Sequence, residues 1–194
     1  MTSRADIVAA ARDWLGTPWQ HQASLKGVGA DCIGLVGGVA LACGVPGARE
    51  WAADQTCKGY GRRPDPAMLL RSCDTYLERI AVGAAGLGDI LVFKFERDPQ
   101  HFGIKSREGP DYVIHAYAQA RRVVENRIDE LWRSRILRAY RFRGLTTTDS
   151  LTLGVAGAYV GLDFGPVGAS PGWMVSGSCV GEALDPPPSK SSDG

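Results

Sequence analysis

Gly29-Ala30-Asp31-Cys32-Ile33-Gly34-Leu35-Val36 sets a cysteine at the start of a helix. Asp31 is a good N-cap. Leu35, Val36 and Val39 then recur on one face with Cys32, until Gly44-Val45-Pro46 stops the run. A helix start lowers a thiol's pKa through its dipole and free N–H groups, which suits a nucleophile. Gly34 leaves room for a close backbone approach. A small buried hydrophobe fits the same position, so location alone leaves both roles open.

Upstream, Ser3 and Asp6 form a capping pair. Ile7, Val8, Ala11, Trp14 and Leu15 follow at helical spacing to Gly16-Thr17-Pro18. From Trp19 to Ala30 the chain is polar, glycine-rich and without periodicity, which predicts a loop. Downstream, Asp65-Pro66 starts a third helix with Leu69, Cys73, Leu77 and Ile80 as its buried stripe. Past Gly88-Asp89 the apolar period falls from about 3.6 to about 2. Strands are expected over 90–95, 101–106, 112–118, 121–125 and 136–142. Three helices followed by a meander predict an α+β domain, helices packed on an antiparallel sheet, over residues 1–144.

Residues 145–194 differ in kind. Between Leu151 and Gly181 the only charged residue is Asp163, and Gly157, Gly161 and Gly165 repeat at the small-xxx-small spacing of close helix contacts. Pro166 and Pro171 forbid one long helix, and the Pro/Ser-rich end is expected to be disordered. This glycine-rich extension fits a poorly ordered tail and an assembly or membrane-touching segment (151–181) equally well.

At 194 residues, 44% apolar and 22% charged, the composition is that of a globular protein. A net charge of +1 gives no field directed at nucleic acid or membrane, so no nucleic-acid partner is expected. The first residues lack an apolar signal region, from which synthesis in the cytoplasm without standard export is expected. Five cysteines (Cys32, Cys43, Cys57, Cys73 and Cys179) include no C-x-x-C, which argues against a zinc site or a disulfide framework.

There are three histidines, His21, His101 and His115. His101 opens one expected strand and His115 lies in the next, so neighbouring antiparallel strands can bring both to one sheet face. With a helix-start cysteine they make a nucleophile, a base and a group that orients the base. Such chemistry needs no cofactor, and none is expected, metal included.

The ordered set Trp14-Leu15-Gly16-Thr17-Pro18, Asp31-Cys32-Ile33-Gly34-Leu35-Val36, Gly88-Asp89-Ile90, His101-Phe102-Gly103-Ile104 and Ile114-His115-Ala116 resembles the NlpC/P60 family of cell-wall cysteine peptidases. The match runs in order from about residue 5 to residue 143. It implies a circularly rearranged papain-like fold and hydrolysis of peptidoglycan stem peptides, commonly beside D-glutamate and diaminopimelate. It also implies Cys32 as nucleophile, His101 as general base, His115 as the residue orienting His101, and the Cys32 N–H in the oxyanion hole. More narrowly, the run from His21 to Cys32 is similar to tail-associated peptidases of phages and gene transfer agents. That similarity implies a virion-borne enzyme, assembled with tail-tip or hub proteins through 145–194 and meeting the cell wall in the periplasm.

Two departures bear on the site. Ile33 stands where the family usually has Ser, at a position that need not do chemistry. Trp19 stands where it usually has Tyr, which removes a hydroxyl from the substrate side. Trp19, Asp31 and His21 are the candidate substrate-contacting residues, Asp31 first as a helix cap. The arginines from Arg133 to Arg143 suit a solvated sheet edge better than an acidic wall polymer. Two alternatives keep the fold: a structural tail-tip protein without activity, and an amidase or acyltransferase using the same Cys–His pair.

Overall fold

A computed structural model describes residues 2–54, 60–61 and 65–146. The expectations for the extension beyond 146, and for Cys57 and Cys179, lie outside the described residues. Helix α1 (Arg4–Arg12) begins with the expected capping box: Ser3 Oγ accepts from the Asp6 N–H, and the Asp6 carboxylate accepts from the Ser3 N–H. Helix α2 (Cys32–Ala42) buries Leu35, Val36 and Val39 completely, each contributing about 1.5–3 kcal/mol by leaving water. The two helices lie close because α2 has Gly38 where Trp14 crosses; a Cβ there would meet the indole at 2.3 Å. Trp14 is therefore core, whereas Leu15, expected beside it, is exposed.

The sheet carries the rest of the architecture. Its strands are β3 (Leu77–Ile80), β4 (Ile90–Phe95), β5 (Asp98–Arg107), β6 (Tyr112–Tyr117), β7 (Arg122–Arg127) and β8 (Ile136–Phe142), in spatial order β3-β8-β4-β5-β6-β7, with every pair antiparallel. The expected meander holds for β4 to β7. Strand β8 then returns to insert between β3 and β4. One face presents Ile90, Val92, Phe102, Ile104, Ile114 and Ala116 to the helices, while Leu91, Phe93 and Val113 form a smaller cluster on the other.

Several local expectations are corrected. The stretch 19–30 contains a two-stranded hairpin, β1 (Ser24–Leu25) with β2 (Gly29–Ala30). A short helix α3 (Ala48–Ala53) follows Gly47, whose φ of 81° lies where a side chain is disfavoured. Helix α4 (Pro66–Tyr76) is capped by Asp65 as expected but ends before Leu77. Leu77 to Ile80, expected as its last turn, form β3 because pairing with β8 outweighs continued helical periodicity. Helix α5 (Glu130–Ser134), capped by Asp129, lies where no element was expected.

The arginine run is also reassigned. Strand β8 is interior, and its cations and the following Arg143 have protein partners: Arg141 grips the fully buried Asp89 through two 2.9 Å bonds, Arg138 reaches Asp74, and Arg143 donates to the Leu77 carbonyl. Arg133 pairs with Asp111, and Arg135 lies 5.0 Å from the Phe95 ring centre. These side chains hold the fold together.

Candidate active site

Cys32 is the first residue of α2 because Asp31 caps the helix: its Oδ1 accepts from the Gly34 N–H at 2.9 Å. The other oxygen, Oδ2, accepts from the Gln22 N–H and from the Tyr60 hydroxyl, both at 2.6 Å. Buried and holding three hydrogen bonds, Asp31 fixes the geometry around the thiol. The room left by Gly34 is used as expected, since a Cβ there would fall 1.9 Å from the Ala23 carbonyl oxygen. Any other residue would push the hairpin loop off the helix start.

His101 reaches the site through strand register. Lys94 opposes Pro99 and Phe93 opposes His101, so Gln100 is an extra residue on β5, a bulge immediately before the histidine. His101 and Cys32 line one cleft of about 270 Å³. On the neighbouring strand His115 is completely buried, and its Nδ1 lies 2.8 Å from His101 Nε2, as two histidines on adjacent strands were expected to do. Gly103 makes this approach possible: a Cβ there would meet Val113 at 2.3 Å and the His115 Cβ at 3.3 Å. Behind the pair, Asn126 on β7 lies 3.2 Å from His115 Nε2. Tyr117 stacks on the His115 ring, and Trp132 of α5 meets both imidazoles.

The electrostatics differ from the helix-start expectation. Burial, aided by the Asp31 charge, pushes the Cys32 thiol up to about 12, against opposing help from the backbone amides of Phe102, Ile33 and Cys32. Burial likewise brings His101 down to about 4, and burial together with His101 holds His115 well below its ordinary value. At neutral pH the resting site is thus a thiol beside two neutral imidazoles. Dipole and amides moderate the desolvation cost without overcoming it.

The substrate-side candidates all line the cleft: Trp19, His21 and Asp31. His21 Nε2 is 3.0 Å from the Tyr60 carbonyl oxygen. Tyr60 is the notable addition. It brings a hydroxyl to the cleft from a distant segment, where Trp19 lacks one. Its neighbourhood has no periodicity, so sequence offered no signal for it. Phe102 lends only its backbone, which residue identity does not reveal. Asn126 was findable in principle, since it lies diagonally from His115 once the β6–β7 register is known. Of the other described cysteines, Cys73 is core and Cys43 half-buried, consistent with packing.

No protein-family model matches the sequence, and no curated protein matches it. Solved structures do. The NlpC/P60 domain of the peptidoglycan hydrolase SagA superimposes with a TM-score of 0.51 at 22% identity, over 73% of this chain and 100% of that domain. An NlpC/P60 family protein from Bacillus cereus gives 0.53 at 16% identity, over 72% of this chain and 40% of that one. NlpC2 from Trichomonas vaginalis gives 0.51 at 15% identity, over 73% and 47%. The chain thus spans less than half the length of the latter two. The fold is that of NlpC/P60 domains, helices on an antiparallel sheet, as the sequence resemblance implied.

Proposed function

We propose that the chain is a cysteine hydrolase of peptidoglycan stem peptides, with Cys32 as nucleophile, His101 as general base and His115 as the residue that orients it. The observation that carries this is the convergence of Cys32 and His101 in one cleft, with His101 Nε2 held 2.8 Å from His115 Nδ1. That contact leaves Nδ1 of His101 for the cleft. As the sulfur attacks a peptide carbonyl, its proton passes to this nitrogen, and the imidazolium then protonates the departing amine. Water hydrolyses the thioester by the same route in reverse. The Cys32 N–H, at the open end of α2, supports the oxyanion; one such donor is worth roughly 3 kcal/mol. A thiol that rests neutral makes the base necessary, because little thiolate stands ready.

The cleft suits a peptide. Gln100 and Gln119 offer amide donors and acceptors along it, while Trp19 and Tyr117 give flat apolar walls. The similarity of residues 21–32 to tail peptidases supports the finer reading: an enzyme made in the cytoplasm, carried on a phage-like or gene transfer agent tail, and opening the wall during DNA delivery. On that reading, residues 145–194 join it to its tail neighbours.

Incubating the chain with purified muropeptides, followed by mass spectrometry, tests the chemistry. Cleavage within the stem that disappears in Cys32→Ala is the expected result; no cleavage, or cleavage indifferent to that substitution, overturns it. For the particle, the peptide map of purified tail particles from producing cells is expected to contain this chain. Particles without it refute the tail assignment and leave the hydrolase intact.

A further inference from the structure

We infer that Asn126 sets which nitrogen of His101 carries the proton, by presenting its amide oxygen to His115. The mechanistic consequence rests on the hydrolase reading above. A chain of close contacts runs His101 Nε2–His115 Nδ1 at 2.8 Å and His115 Nε2–Asn126 Nδ2 at 3.2 Å, the amide assigned with its nitrogen toward the ring. A neutral imidazole has one N–H and one lone pair, so the state of either end fixes the whole chain.

If the Asn126 NH2 donates, His115 Nε2 must accept and Nδ1 carries the proton. His115 then donates to His101 Nε2, and the His101 proton is forced onto Nδ1, the nitrogen left for the cleft. Such a site has no base. If the Asn126 oxygen accepts instead, His115 carries its proton on Nε2, His101 donates from Nε2, and the His101 Nδ1 lone pair is free. The two ends of an amide are exchanged by a half-turn and occupy equivalent positions, so the same 3.2 Å contact serves both states. Only the second can accept the proton of Cys32.

An amide suits this place better than a carboxylate. His115 is completely buried, and a charge beside it would raise the pKa of the histidine pair, whereas an amide orients the pair without adding one. The titratable and charged groups around the pair are Cys32 and Asp31 at the helix start, Tyr117 stacked on His115, and Arg135, whose guanidinium lies 5.9 Å from the Trp132 ring centre. Asn126 is the side chain within hydrogen-bond range of His115 Nε2, so its amide decides the tautomer. Asn126 is thus a positioning residue, acting through His115.

The test uses the full chain with 15N-labelled histidine. Long-range 1H–15N spectra read the tautomers of wild type, Asn126→Asp and Asn126→Ala. Alkylation of Cys32 by iodoacetamide, resolved by peptide mapping, reads the base as a function of pH. Wild type and Asn126→Asp are expected to carry the proton of both histidines on Nε2. In Asn126→Ala the single tautomer is lost, and Cys32 alkylation slows by about tenfold as base-competent pairs become the minority. Asn126→Asp, which can only accept, restores the rate and moves the acid limb up by about one pH unit.

Wild-type His115 protonated on Nδ1, or wild-type tautomers in Asn126→Ala, overturns the inference. Should the alanine variant not fold, wild type and Asn126→Asp decide alone. A packing role would slow both variants alike, with the tautomers unmoved. None of these readouts requires peptidoglycan, so their failure is distinguishable from failure of the hydrolase reading, which muropeptide cleavage decides.

Discussion

Around Cys32 the groups that fix the side chain are near in sequence: Asp31 caps the helix through Gly34, and Gly34 clears the Ala23 carbonyl. Around His101 they are farther off: His115 on β6, Asn126 on β7 and Trp132 on α5. Cys32 is therefore positioned by local helix chemistry, while His101 is positioned by strand register. A one-residue slip in any of three strand pairs would scatter the histidine chain and leave the thiol in place. Helix-side and sheet-side damage should be separable in experiment.

The sharpest separation comes from Cys32→Ala, expected to lower hydrolysis by at least about 10⁴-fold, or roughly 5 kcal/mol of barrier. Its thermal unfolding should match wild type to within ~1 kcal/mol, since one half-buried sulfur is removed. Steady-state assay beside calorimetry checks both halves.

Next is a pH effect that belongs to the sheet side alone. His101 binds its proton near pH 4 when folded and near 6.5 when unfolded, so between these values the unfolded chain holds more protons. Its contribution is whole above about pH 6.5 and is lost as pH falls toward 4, a change of about 3 kcal/mol. Urea titrations across that window should show a steeper loss for wild type than for His101→Phe. Equal slopes would mean that His101 is not buried neutral.

Gly103→Ala strikes the register directly. With 2.3 Å to Val113, the substitution should cost about 1–3 kcal/mol and displace His115. Activity should fall further than stability explains, and full activity in a destabilised protein would break the link between register and base. On the helix side, Asp31→Ala should cost about 1–2 kcal/mol for the lost cap, read by chemical denaturation. The smallest effect is expected from Tyr60→Phe, which removes one hydrogen bond to Asp31 and roughly 1 kcal/mol. A rise in KM with kcat unchanged would place the Tyr60 hydroxyl on the substrate; no change in either would leave it as a support for Asp31.

The same division explains what was legible before the structure. Asp31, Cys32 and Gly34 form a helix-start signature within four positions, and the structure realises each local role. Ile90–Phe95 and Ile136–Phe142 have the limits that the sequence predicts because each is a short apolar-rich run beside glycine punctuation, Gly88-Asp89 before β4 and Gly144 after β8. Leu77 to Ile80 continued a helical stripe on paper and became a strand, since only the distant β8 offers that edge a partner. The thiol's electrostatics escape the sequence for a related reason. The helix dipole is visible in sequence, whereas the desolvation that outweighs it arises when β5 closes over the helix start. Tyr60 and Asn126 were missed because one comes from an unpatterned segment and the other acts through cross-strand geometry.

The insertion of β8 between β3 and β4 has a consequence for synthesis. On the ribosome, β4 and β5 can pair as soon as they emerge, yet one long edge of β4 stays open until residue 142 has been made. Asp89, with Arg4 at 3.7 Å and the Gly86 N–H as its early partners, likewise waits for the two bonds from Arg141. The platform under the histidines is thus completed by one of the last segments of the domain to leave the tunnel. A nascent chain carries Cys32 early and the finished histidine platform late, so the cleft is assembled only once its coding region has been read almost to the end of the fold.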